Sequence, residues 1–293
     1  HVVAMTGDGV NDAPAFKAAH LGIAMGRTGS DVAKESADMV LLDDNFASIV
    51  NAIEEGRAIF SNIRKFLTYV LVHNVAELVP YLAFALFQVP LALTPMQILA
   101  VDMGTDTLTA LGLGVDPPDP EAMRRPPRPR DERLLNRGLA LRAYLFLGAM
   151  EAAAVLAAFF AILAGGGWTW GRELAPADPL YRQATTASLG AIIVMQAVNV
   201  FCCRSARRSV LAMPILGNRL ILWGLGLEVL LLSFFVYTPW GNLLLQTAAL
   251  PWSFWLTVLP FAAGMLALEE LRKLVVRRRA GGRRPPAPPA RGK

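Results

Sequence analysis

Two hydrophobic rhythms divide this chain. As far as about Arg57, short apolar runs alternate with polar, helix-like stretches: residues 2–5 stop at Gly7-Asp8-Gly9, residues 21–25 stop at Gly26, and residues 39–42 stop at Asp43. Between them, residues 11–20 and 30–37 read as helices, the second with Ser30 or Asp31 as its N-cap, and Asn45 can cap the helix that follows. Strands alternating with helices predict a parallel sheet in a layered α/β domain, of which only the final units are present. From about Phe60 the pattern changes to long apolar stretches at residues 66–89, 95–115, 139–163, 186–203, 220–237 and 252–268. Each is near the ~20 residues needed to cross a bilayer as a helix. The predicted fold is an all-α membrane bundle of six transmembrane helices preceded by the end of an α/β domain. Its boundaries are 1–57 for the α/β part and stalk, 58–271 for the membrane part and 272–293 for a basic, disordered tail.

Composition supports that division. The 293 residues are 54% hydrophobic and 17% charged, with a mean hydropathy of +0.42, too apolar for one ordinary soluble domain. A net charge of +5 raises the question of nucleic acid, but the arginines sit between apolar stretches and at the C-terminus. Arg124, Arg125, Arg128, Arg130, Arg133 and Arg137 follow the second stretch, Arg204, Arg207, Arg208 and Arg219 the fourth, and the basic run 273–279 the sixth. The opposite side carries only Arg172 and Arg182. That asymmetry predicts cytoplasmic N- and C-termini, a lipid bilayer as partner and no nucleic acid. Trp168, Trp170, Trp240, Trp252 and Trp255 fall near predicted outer ends, where aromatic belts form. Cys202 and Cys203 are adjacent, so no disulfide framework is expected. With His1 first and no signal-peptide layout, the chain reads as a fragment.

The string Thr6-Gly7-Asp8-Gly9-Val10-Asn11-Asp12-Ala13-Pro14 places two carboxylates and an amide on a glycine-rich turn between a strand and a helix. Glycines let backbone N–H groups approach an anion, and the carboxylates offer hard oxygen ligands, as a magnesium phosphate site requires. The whole string resembles the hinge motif of P-type ATPases, whose phosphorylation domain has the haloacid-dehalogenase fold. The likeness continues through Lys17, Gly22-Ile23-Ala24-Met25-Gly26 and Asp38-Met39-Val40-Leu41-Leu42. It implies that Asp8 binds catalytic Mg2+, that Asp12 supports it, that Thr6 and Asn11 contact the phosphoryl group, and that Gly7 and Gly9 line the site. ATP would be bound mainly by a missing N-terminal half. No Asp-Lys-Thr-Gly-Thr or Thr-Gly-Glu motif is present, so the fragment alone is expected not to hydrolyse ATP.

Charged groups also fall inside the apolar stretches. Glu77 lies in the first and Asp102 and Asp106 in the second. Each costs about 2.5–3.5 kcal/mol at bilayer depth, so several together imply an ion path. Asn74 and Glu77 are three apart and Asp102 and Asp106 four apart, so each pair is expected on one helix face, converging with Thr105 on one site. Pro80 and Gly104 would free backbone oxygens for the cage, and oxygen-only ligands suit sodium, potassium, calcium or protons. His73 is expected to pack or hydrogen-bond, and Glu151 to be a ligand or an interhelical hydrogen-bonding carboxyl. The stretch Asp102-Met103-Gly104-Thr105-Asp106 is similar to the sodium/potassium-pump subgroup more than to calcium pumps. Tyr69, Gln196 and Glu228 match residues near that subgroup's extra sodium site, and the ending from Glu270 to Arg279 is similar too. Asn199, His73 and the short stretch 165–183 depart from it, the last leaving little room for an accessory-subunit loop. The resemblance implies a multi-pass plasma-membrane pump that couples aspartyl-phosphate chemistry to cation transport, monovalent cations favoured. The first membrane helix, entered through Glu54-Glu55-Gly56-Arg57, would carry the coupling. A calcium pump, a non-catalytic channel or subunit, and a soluble phosphatase of the same α/β fold are the competing expectations.

Overall fold

The computed structural model describes residues 2–129 and 131–281. They divide into two compact units: the chain up to Ile59 together with Pro118–Pro127, and Phe60–Pro117 together with the chain from Arg128 onward.

In the first unit, β1 (Ala4–Gly7), α1 (Ala13–Ala18), β2 (Leu21–Met25), α2 (Asp31–Ser36) and β3 (Met39–Leu41) follow one another. The strands form a parallel sheet in the order β1-β2-β3, with Thr6 opposite Ile23 and Ile23 opposite Met39. Buried Phe16, Ala24 and Ala33 pack the helices onto it. The helix expected over 11–20 starts later, because a 3-10 turn at Val10–Asp12 precedes Pro14, which suits only a helix's first turn. Ser30 caps α2 as expected, its hydroxyl accepting from Ala33 N at 3.3 Å. After β3, Asp44 adopts a left-handed φ of 51° and accepts from the amides of Arg27 and Thr28 at 2.9 Å each. The Arg27 amide and then the Thr28 groups hold its carboxyl below the usual range. The proline-rich loop is folded against this unit: Arg57 Nη1 donates to the carbonyls of Ala122 and Arg125 at 2.6 and 2.9 Å.

The rest is helical. α3 (Ala47–Phe87) runs 41 residues without interruption, with Pro80 inside it. Next come α4 (Pro95–Ala100), a π-helical turn (Val101–Thr105) and α5 (Asp106–Gly114). α6 (Arg137–Ala140), a second π-helical stretch (Leu141–Leu147) and α7 (Gly148–Gly165) follow, then α8 (Pro179–Cys203), α9 (Arg219–Tyr237), α10 (Pro239–Leu245) and α11 (Trp252–Gly281). Among the described residues, five helices are long and apolar enough to cross a membrane: Ala47–Phe87, Arg137–Gly165, Pro179–Cys203, Arg219–Tyr237 and Trp252–Arg279. The stretch expected over 95–115 is helical but broken into three segments by its π turn. α8 is the most enclosed, with 78% of its apolar window buried, and both large core clusters of the bundle include its residues.

Two expectations need correction. α10 was not anticipated; it forms because Thr238 caps it, accepting from Gly241 N at 3.1 Å, with Pro239 at the first position. Nor does disorder begin at residue 272, since α11 continues to Gly281. Arg272 anchors that extension, donating to both Glu269 oxygens at 2.7 Å and to the Ala206 carbonyl at 2.8 Å. The remaining tail, 282–293, and Arg130 lie outside the described residues.

Candidate functional site

The glycine-rich turn follows β1 directly, so the parallel sheet presents it at a strand's C-terminal end, the usual edge for phosphate chemistry in α/β folds. Asp8 is exposed, as is Asn11, while Thr6 is half-buried. The half-buried Asp12 turns back: its Oδ2 accepts from the amides of Asp8 and Gly9 at 3.0 and 2.9 Å. Backbone N–H groups of the turn were expected to approach an anion; those of Asp8 and Gly9 instead bond to Asp12, which fixes the turn. Ser30 N donates to Asp8 O at 2.8 Å, which leaves the Asp8 carboxylate projecting from a pinned backbone. An exposed carboxylate on a rigid turn, with an amide side chain three residues on, suits a hard cation such as Mg2+.

Within the bundle, the acidic side chains converge on a histidine. His73 Nε2 lies 3.1 Å from Glu77 Oε1 and 3.1 Å from Asp102 Oδ1. Its Nδ1 lies 3.4 Å from Asp106 Oδ2 and 3.9 Å from Glu151 Oε1. Local geometry produces this gathering. His73 and Glu77 are one turn apart on α3. In the π turn, Asp106 N–H bonds to Val101 O, five residues back, so the extra residue changes the angle between Asp102 and Asp106. Gly148 brings α7 against α3, since a Cβ there would sit 2.8 Å from Val75 Cβ, and Glu151 reaches His73 from one turn further on.

The cluster is buried and under-bonded. Side-chain exposure is 4% for His73, 13% for Glu77, 8% for Asp106 and 0% for Glu151, while Asp102 is 48% exposed at its edge. His73 Nδ1, Glu77 Oε1, Asp106 Oδ2 and both Glu151 oxygens have no hydrogen-bond partner among the described residues. Thr105, fully buried, donates to Val101 O and lies 3.2 Å from Asp106 Oδ1. Tyr69 OH and Gln196 Nε2 are also buried without partners; Gln196 Oε1 accepts from Asn199 Nδ2 at 3.1 Å. Glu228 takes a short hydrogen bond from Thr109, and its Oε2 is unpartnered. Gly224 allows that contact, because a Cβ there would lie 2.9 Å from Thr109 N.

Three expectations about this site change. Asn74 is exposed and does not join the cluster. At about 100° per residue it falls on the flank of Glu77 opposite His73. The carbonyls near Gly104 are not free either: Thr105 and Thr107 hydroxyls bond to those of Val101, Asp102 and Met103. Finally, an imidazole stands at the centre of what was expected to be an oxygen-only cage. His73 and Glu151 are therefore the residues that sequence reasoning underweighted. Glu151 carried a signal, as a carboxyl within an apolar stretch.

A second buried charge cluster in the same unit is balanced. Asp116 accepts from Lys65 Nζ at 2.8 Å, from Arg204 Nε and Nη2 at 3.2 and 3.1 Å, and from Asn218 Nδ2 at 3.1 Å. Asn62 donates to its backbone carbonyl at 2.7 Å. Burial would raise the Asp116 carboxyl, but Lys65, Asn218 and Arg204 outweigh it and hold the group below the usual carboxylate range.

Apolar spanning helices that enclose an acidic cluster define a multi-pass integral membrane protein. A family model described as cation transporting ATPase, C-terminus, matches residues 90–275, more than half of the chain, and the chain belongs to that family, the P-type cation ATPases. A second, described as haloacid dehalogenase-like hydrolase, matches residues 1–53. The chain is 37% identical over 306 aligned positions to sodium/potassium-transporting ATPase subunits: alpha-4 of Rattus norvegicus, alpha-3 of Homo sapiens and alpha-2 of Gallus gallus. Each alignment covers 96% of this chain and 30% of the relative, so the chain spans under a third of their length.

Proposed function

We propose that this chain is the C-terminal, ion-binding portion of an ATP-driven pump for monovalent cations, sodium or potassium, in the plasma membrane with both termini cytoplasmic. The observation that carries the reading is the charge imbalance around His73. Four carboxylates face one imidazole, which carries at most one positive charge, and Glu77 Oε1, Asp106 Oδ2 and both Glu151 oxygens lack hydrogen-bond partners among the described residues. In a low-dielectric interior such an excess must be met by bound cations or protons. Glu77, Asp102, Asp106 and Thr105 would hold the transported ion, Glu151 would add charge from α7, and Tyr69, Gln196 and Glu228 would serve a neighbouring position. The broken stretch 95–114 would complete a sixth span, its π turn displaying the carboxylates. The similarity to sodium/potassium-transporting subunits supports the monovalent ion.

In the first unit Asp8 would ligate Mg2+, which when bound neutralises phosphoryl charge during aspartyl-phosphate turnover. Asp12 keeps the turn closed, and Thr6 and Asn11 would meet the phosphoryl oxygens. ATP would be bound mainly by the portion of a longer protein that corresponds to the remaining length of the relatives. The test is ATP hydrolysis by the full-length protein in sodium, potassium, calcium or none of them, alongside Glu77→Gln and Asp106→Asn. Stimulation by sodium or potassium that both substitutions abolish is expected; equal activity in all four media overturns the reading.

A further inference from the structure

We infer that His73, Glu77 and Asp102 also form a binding site for a divalent first-row transition-metal ion, with Asp106 orienting the imidazole. This deepens the proposed function, resting on the reading of the cluster as an ion site, and adds a class of ion that carboxylates alone would not favour.

The spacing is that of ligands around a small ion. Glu77 Oε1 and Asp102 Oδ1 each lie 3.1 Å from His73 Nε2, and one donor atom from each of the three residues lies within 4.8 Å of the others. Donors at ~2.1 Å from a zinc-sized ion stand roughly 3.0 Å apart at neighbouring octahedral corners and roughly 3.4 Å apart at tetrahedral ones. Potassium, with longer bonds, needs wider spacing. The donor types agree, because one imidazole nitrogen with carboxylate oxygens suits manganese, cobalt or zinc, whereas oxygen alone suits alkali and alkaline-earth ions.

The other side of the ring supplies the second argument. A metal-bound histidine characteristically directs its remaining ring N–H at a carboxylate, which fixes the tautomer and the ring plane. His73 Nδ1 faces Asp106 Oδ2 at 3.4 Å, and these two atoms, on residues 97% and 94% buried, have no hydrogen-bond partner among the described residues. Asp102, about half exposed, leaves room for water to fill the open coordination positions. The rival account of the same distances is an imidazolium hydrogen-bonded between carboxylates, with no affinity for a metal.

Manganese separates the two. The full-length protein carrying Asp8→Asn, which removes the exposed carboxylate of the first unit, is loaded with substoichiometric Mn2+, and pulsed electron paramagnetic resonance reads whether an imidazole nitrogen is bound to it. The expected spectrum shows that nitrogen coupling, and His73→Gln removes it. Asp106→Asn keeps the coupling but weakens Mn2+ binding about 10- to 100-fold. Glu77→Gln weakens binding at least tenfold and guards against a His73→Gln protein that does not fold. Manganese bound without nitrogen coupling, coupling that survives His73→Gln, or affinity unchanged by Glu77→Gln overturns the inference. Sodium- or potassium-stimulated ATP hydrolysis that is lost in Glu77→Gln upholds the pump whatever manganese does. Nitrogen-coupled manganese without alkali stimulation keeps the metal site and removes the pump.

Discussion

The buried carboxylates around His73 and the one at Asp116 sit in the same unit and obey opposite arithmetic. Asp116 is a single anion facing Lys65, Arg204 and the amide of Asn218, with each of its oxygens hydrogen-bonded. The His73 cluster gathers four anions about one ring and leaves several oxygens unpartnered. Burying a charge is tolerable when partners fixed in the fold compensate it, as at Asp116. Where the fold supplies too few, the partner must come from outside. The balance of partners, rather than burial, separates a group that holds the structure together from one that awaits a ligand.

That contrast can be broken most forcefully at the balanced end. Asp116→Ala leaves Lys65 and Arg204 without their shared anion and is expected to cost about 3–5 kcal/mol, read as a lowered unfolding midpoint in detergent. Acid should act in the same direction. Because the folded Asp116 carboxyl titrates below its ordinary value of 3.8, its contribution is full above that pH and is lost only as pH falls through the lower folded value. Next in size, Gly148→Ala sets a methyl against Val75 and is expected to cost about 1–3 kcal/mol while weakening cation activation, since Glu151 moves with α7. Glu77→Gln sharpens the comparison by its different signature. It removes one of several crowded like charges, so the unfolding midpoint should hold or rise even as cation-stimulated turnover falls at least tenfold, ~1.4 kcal/mol. The smallest effect belongs to Arg64→Ala. Its pair with Glu132 is about 30% exposed at both ends, and its loss should cost about 0.2–1 kcal/mol and leave turnover unchanged.

Much of this was legible from the chain. Alternating short runs gave the parallel sheet and the turn after β1, because period and punctuation are local properties. The acidic positions Glu77, Asp102 and Asp106 stood out because charge in an apolar stretch is conspicuous. What escaped was set by geometry between elements. Asn74 looked like a partner of Glu77 by spacing, but three residues can put a side chain on either flank of its neighbour. His73 read as packing or hydrogen bonding, and it does hydrogen-bond to Asp102, but nothing in its own helix shows that α5 and α7 also aim carboxylates at it. The Asp116 cluster was missed because its partners come from positions 62, 65, 204 and 218, which no spacing rule connects.

The π turn at Val101–Thr105 confines the effect of a change in length within the second acidic stretch. An α-helix there would need one residue fewer to cover the same rise. Deleting Met103, an exposed side chain, would therefore yield a more regular helix by local criteria. Because the π turn absorbs its extra residue locally, the Asp106 N–H would still meet the Val101 carbonyl, and the later residues of α5 would keep their present faces; only the side chains inside the turn, Asp102 among them, would shift against His73. A tidier backbone would loosen one corner of the site.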